Sequence, residues 1–214
     1  MVVAPTADVP PHRHDPTGSF PETSPVALVL LDVINDLEFE GGELLLKESL
    51  PMARRLAALK TRAASLGIAC IYVNDNFGRW QSDFTKQVEH CLRDGVRGQP
   101  LAELLEPGKD DYFVLKPKNS AFYGTTLETL LEHLQTDTLI VTGLACNICV
   151  LFSVNDAHMR NYHVIVPADC VASEQPTDTC QALGLMQQAL SVEVCPSDQL
   201  DLEALLHQHE AAGV

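Results

Sequence analysis

Val26-Ala-Leu-Val-Leu-Leu-Asp32 is an uninterrupted apolar run closed by a carboxylate. A half-buried strand alternates apolar and polar residues, so a run without alternation reads as a strand covered on both faces. It predicts the first strand of a parallel sheet. Downstream, Met52, Leu56, Leu59, Ala63 and Leu66 recur at spacings of three and four, the period of a helix with one buried face. Ser49 is placed to cap its start and Gly67 to stop it. The alternation repeats along the chain, with strands predicted over 68–74, 112–116, 139–143, 163–168 and 191–195. Helices are predicted near 83–93, from a T-x-x-E capping box at Thr125 and Glu128 to about 135, over 147–161 and near 177–190. Six strands separated by helices imply right-handed βαβ crossovers. The predicted fold is a three-layer, doubly wound α/β domain on a six-stranded, mostly parallel, Rossmann-like sheet.

Composition narrows the function classes. The 214 residues are 46% hydrophobic and 20% charged, ordinary for a globular chain able to bury a core. Fourteen Lys and Arg against 29 Asp and Glu leave a formal charge of −15, which repels phosphate backbones and anionic membranes. Nucleic acid and membrane are therefore set aside as partners, and a small-molecule substrate is expected. No apolar run approaches the ~18 residues a membrane span needs, and residues 1–25 lack the pattern of a signal peptide, so a cytoplasmic protein is expected. The odd count of seven cysteines, scattered from Cys70 to Cys195, suits reduced thiols better than a disulfide framework. Six of the 13 prolines fall in residues 1–25. Residues 1–24 are accordingly read as an extended arm, and 25–214 as a single domain.

Ligands of an open parallel sheet bind beyond the carboxyl ends of its strands. Three reactive residues are predicted there: Asp32 ending the first strand, Lys116 ending the third, and Cys149 in the first turn of the helix after the fourth. Each also has an ordinary reading, as a helix cap, a solvated strand end and core filler respectively. Their coincidence on one rim matches nucleophilic catalysis, because a helix N-terminus and an ammonium favour thiolate while a carboxylate can take the proton.

These residues lie in three motifs. Leu-Leu-Asp32-Val-Ile-Asn-Asp36, Lys116-Pro-Lys-Asn-Ser120-Ala-Phe122-Tyr-Gly124-Thr and Val141-Thr-Gly143-Leu-Ala145-Cys-Asn-Ile-Cys149-Val stand in that order along the chain. Residues 24–197 thus resemble the isochorismatase-like cysteine hydrolases, the family of nicotinamidases, N-carbamoylsarcosine amidases and isochorismatases. The resemblance implies that Asp32 is the general base, Lys116 a catalytic lysine and Cys149 the nucleophile. It also implies a cis bond between Leu144 and Ala145, an oxyanion hole formed by the amides of Ala145 and Cys149, and a homo-oligomer, dimer or tetramer. Ile34 and Leu37 depart from the glutamine and phenylalanine usual in the first motif, a change that bears on pocket shape.

The expected activity is hydrolysis of a small amide, carbamoyl or ureido compound through a Cys thioester. Hydrolysis of a vinyl ether, as in isochorismatases, is the alternative. Cys146 and Cys149 also spell C-x-x-C, which a thioredoxin-like redox site would use, and a catalytically silent oligomer binding a metabolite is a further reading. The stretch Asn74-Asp75-Asn76-Phe77-Gly78-Arg79-Trp80 reads either as a simple turn or as a substrate loop. In the second case Arg79 binds a substrate carboxylate, while Phe77, Trp80, Phe122 and Tyr123 wall the pocket. Nicotinamidases carry a metal after the second strand, held by an aspartate and several histidines. Here Asp75 is followed by no histidine before His90, so neither metal nor other cofactor is expected.

Overall fold

The computed structural model describes residues 23–77 and 83–212 of the chain. Most of the Pro-rich arm, together with Arg79 and Trp80, lies outside the described residues.

The apolar runs become a parallel sheet. Its strands are β1 (Val26–Leu31), β2 (Ala69–Asp75), β3 (Tyr112–Lys116), β4 (Thr138–Leu144), β5 (His163–Pro167), β6 (Val171–Ala172) and β7 (Glu193–Cys195). They lie in the order β3-β2-β1-β4-β5-β7, every pair parallel, and β6 pairs with the end of β4. The sheet thus has one strand more than the predicted six. The addition is a two-residue bridge, Gly143 to Val171 and Leu144 to Ala172, too short to leave a periodic signal.

Seven helices are present among the described residues: α1 (Gly42–Ser65), α2 (Phe84–Arg93), α3 (Gln99–Leu104), α4 (Leu127–His133), α5 (Leu151–Met159), α6 (Pro176–Leu190) and α7 (Leu202–Ala212). Alternate strand residues feed two cores. Val26, Leu28, Leu30 and Tyr72 pack with Leu56 and Leu59 of α1, Phe84 of α2, Leu101 of α3 and Leu202 of α7. Ala27, Val29, Leu31, Ile71 and Val73 pack with Leu131 of α4, Val154 of α5 and Met186 of α6. Burial on both faces is why the strands carry no polar alternation. No helix among the described residues is long and apolar enough to cross a membrane.

Two predicted caps are corrected. Ser49 does not start α1; it is wholly buried inside the helix, and its hydroxyl donates to the Leu46 carbonyl at 3.1 Å. The buried stripe continues backwards through Leu45 to Gly42, so packing carries the helix through Pro51 despite the lost amide. At α4 the cap residue is Thr126. Thr125 accepts from the Leu127 amide at 3.2 Å, while Glu128 turns to Arg160 at 3.2 Å instead of closing a capping box. Ser24, the last residue of the predicted arm, is buried, accepts from the Ala69 amide at 2.9 Å and donates to the Val26 carbonyl at 2.6 Å.

β1 is the switch point of the sheet, since β2 and β3 extend to one side of it and β4, β5 and β7 to the other. Open parallel sheets take their ligands at such a point, here beyond the carboxyl ends of β1 and β4.

Candidate active site

Parallel register places the reactive side chains. Asp32 follows β1 with its amide still donating to the Val73 carbonyl at 3.0 Å. Its φ of 51° lies in the left-handed region, which aspartate tolerates better than most residues. Asp75 on β2 is the register partner of Lys116 on β3, so both side chains project on the same side of the sheet. Lys116 is wholly buried and Asp32 only 6% exposed. The Lys116 Nζ lies 2.9 Å from Asp32 Oδ2, 3.4 Å from Cys149 Sγ and 3.6 Å from Asp75 Oδ2. The Asp75 amide donates to Asp32 Oδ1 at 2.7 Å.

Cys149 reaches this cluster from a single π-helical turn, Cys146–Val150, that precedes α5. A π turn re-aims side chains relative to an α-helix and recurs at functional sites. Entry to the turn is made by Gly143 at φ 107° and by Ala145 in an extended conformation. The expected cis bond between Leu144 and Ala145 is not there, and the described residues contain only trans peptides. Gly143 takes its positive φ while still inside β4, a conformation glycine adopts freely. Ala145 and Cys149, the two amides assigned to an oxyanion hole, stand at the start and within this turn; the Ala145 carbonyl accepts from Ile148 and Val150 at 3.0 and 3.2 Å. Ser153, itself buried, donates to the Cys149 carbonyl at 2.6 Å and accepts from the Ala121 amide at 2.9 Å. It thereby ties the cysteine turn to the loop that begins at Lys116.

The electrostatics of the cluster follow from its dryness. Burial pushes the Asp32 carboxyl above the ordinary carboxylate range, against the pull of the Lys116 charge and of hydrogen bonds from Lys116, Cys149 and the Asp75 amide. Burial also works against the Lys116 ammonium, but Asp32, Cys149 and Asp75 together hold it above the ordinary lysine value. Burial, then Asp32, push the Cys149 thiol up to about 12, with Lys116 opposing. The helix terminus and ammonium were expected to favour thiolate; desolvation and the adjacent carboxylate outweigh them, so the resting group is a thiol.

The other candidates are placed differently. Phe122 is buried in the core, 5.8 Å from the Tyr162 ring and beneath the Arg160 guanidinium. Tyr123 and Phe77 are exposed, and the Phe77 amide donates to Asp75 Oδ1 at 2.5 Å. Ile34 and Leu37 are buried in the core on the α1 side. Cys146 is buried with its Sγ toward the Thr179 carbonyl at 4.0 Å, so the two C-x-x-C thiols address different neighbours. His90 is held by Asp94 at 2.7 Å and Asp36 at 3.5 Å. Among the described residues no three His, Cys, Asp or Glu side chains are grouped to hold a metal. Ser153 is absent from the sequence expectations, and Asp75 enters them only as part of a loop and as a lone oxygen ligand, not as a neighbour of Lys116. Asp75 had a signal, a second carboxylate closing a strand next to Lys116; Ser153 had none, because its role depends on a loop 32 residues away in sequence.

The chain and its fold have counterparts among known proteins. The isochorismatase domain model matches residues 26–199. The uncharacterized isochorismatase family protein YaaI of Bacillus subtilis is 40% identical over 81% of this chain and 95% of its own length. Ureidoacrylate amidohydrolase RutB of Methylorubrum extorquens is 26% identical over 97% of this chain and 98% of its own. The solved structure of N-carbamoylsarcosine amidase from Thermoplasma acidophilum superposes with a TM-score of 0.65 at 27% identity, covering 82% of this chain and 98% of that one. Fold and sequence agree that this chain belongs to the isochorismatase family of hydrolases.

Proposed function

We propose that the protein is a cysteine hydrolase that cleaves a small amide, carbamoyl or ureido compound with an Asp32-Lys116-Cys149 triad. The observation that carries this reading is one buried ammonium lying within 2.9 Å of a carboxylate and 3.4 Å of a thiol. The cysteine proton passes to Asp32 as sulfur attacks the carbonyl carbon, and the amides of Ala145 and Cys149 receive the oxyanion. Lys116 balances the negative charge that moves from Asp32 to sulfur and then to oxygen. The carbon–nitrogen bond breaks as Asp32 returns its proton to the leaving nitrogen, and water then hydrolyses the thioester. Relatives named for ureidoacrylate and N-carbamoylsarcosine support the substrate class. Arg79 and Trp80 are the proposed contacts for the rest of the substrate, together with Phe77 and Tyr123, both of which are exposed.

A screen of amide, carbamoyl and ureido compounds for ammonia release, run on the parent protein and Cys149→Ala, tests the proposal. Turnover that disappears in the alanine variant is expected. An equally active alanine variant overturns the thioester route and favours vinyl-ether hydrolysis, in which an aspartate protonates carbon.

A further inference from the structure

We propose that Asp75 is a positioning residue of this site, the second counter-ion of Lys116, which keeps the ammonium in place and charged while Asp32 holds a proton. The inference rests on the triad reading above and extends it by one residue. Among the described residues three groups face Lys116: Asp32 from the end of β1, Asp75 from β2 and Cys149 from the π turn. At rest two carboxylates flank one ammonium. Once the Cys149 proton reaches Asp32, that carboxyl is neutral and no longer pairs with a lysine that has no exposed surface at all. The lysine's near partner is then the Cys149 thiolate at 3.4 Å, and an ammonium–thiolate pair alone in so dry a place is expensive. The cheaper outcome is for Lys116 to give a proton to sulfur, breaking N–H and forming S–H, which leaves an amine, a thiol and a carboxylic acid. That uncharged set cannot attack a carbonyl.

Asp75 is built to prevent that collapse. Its Oδ2 stands 3.6 Å from Lys116 Nζ, while its side chain is 35% exposed, so water shares the cost of its charge. Its Oδ1 accepts from the Phe77 amide at 2.5 Å and its carbonyl from Gln87 Nε2 at 3.1 Å. The carboxylate is thereby oriented by its own loop, while α2 holds the backbone that carries it. The bond from the Asp75 amide to Asp32 is made by backbone, so changing the side chain removes the counter-charge and spares this contact.

The test uses the full chain in a Cys180→Ser background, which removes an exposed thiol. Iodoacetamide labelling of Cys149, located by peptide mass mapping, is timed for the parent, Asp75→Asn and Asp75→Glu. Steady-state kinetics are measured with a substrate from the ammonia screen. Asp75→Asn is expected to slow labelling and kcat by about tenfold or more with KM within about twofold, and Asp75→Glu to recover most of both. Asparagine rates within about twofold of the parent, or faster, overturn the proposal; so does a glutamate variant as impaired as the asparagine one, which would show that shape and not charge matters. Labelling needs no substrate, so it reads Asp75 even if the screen finds none. Turnover that survives Cys149→Ala overturns the triad reading and leaves the labelling comparison intact.

Discussion

Asp32 combines three demands: a left-handed backbone, a place out of water and a charge held by Lys116. If it is the base, the ionised carboxylate is the active form. Burial moves its pKa upward, so kcat/KM should rise with pH through a limb above the ordinary carboxylate range of about 4. Because Cys149 is pushed up to about 12, no second rise should follow at mildly alkaline pH. Asp32→Asn should lower kcat by about a thousandfold or more while leaving circular dichroism unchanged. A pH profile that climbs through about 8 to 9, the ordinary thiol range, would show that a preformed thiolate attacks instead. The positions of Asp32, Lys116 and Cys149 were legible because strand ends are where a parallel sheet presents ligands. The direction of the thiol's shift was not, since sequence shows the neighbours along the chain and not how far packing excludes water from them.

The connection from β4 into α5 carries the site at the scale of elements. A β-carbon on Gly143 would lie 2.1 Å from the Leu31 carbonyl oxygen and 2.7 Å from its nitrogen, and φ is 107°. Both obstacles are backbone of the neighbouring strand, so no side chain can yield to make room. Gly143→Ala should cost more than about 4 kcal/mol in urea unfolding, and its loss of activity should track the loss of folded protein. A cost below about 1 kcal/mol would mean that β1 and β4 can part more easily than their register implies. The long, strongly apolar elements were legible, among them β1, β2, β4 and the buried stripe of α1. Others were not, β6 and α7 among them. Helix α3 has only six residues, and the π turn differs from α-helix in hydrogen bonding and not in composition. The true start of α1 was hidden because Ser49 and Pro51 look like a helix beginning, yet Leu45 already faces the core.

At the scale of the whole molecule, a charge of −15 on 214 residues makes self-repulsion the leading long-range term. Several ion pairs sit in water, such as Lys86 with Asp83 and Lys109 with Asp110, whose side chains are 79%, 46%, 77% and 44% exposed in turn. Exposed pairs of this kind contribute about 0 to 1 kcal/mol each. Lys60 with Asp111 at 2.6 Å and Lys116 with Asp32 at 2.9 Å are largely enclosed instead, and dissolved ions reach them poorly. Added salt therefore screens repulsion among surplus carboxylates more than it weakens the pairs that matter. Raising NaCl from about 0.01 to about 0.15 M shortens the Debye length from about 30 to about 8 Å. The thermal unfolding midpoint at neutral pH should rise over that interval by a few degrees. A midpoint that falls would show that exposed ion pairs outweigh the net charge, and that the acidic surface contributes attraction where composition implies repulsion.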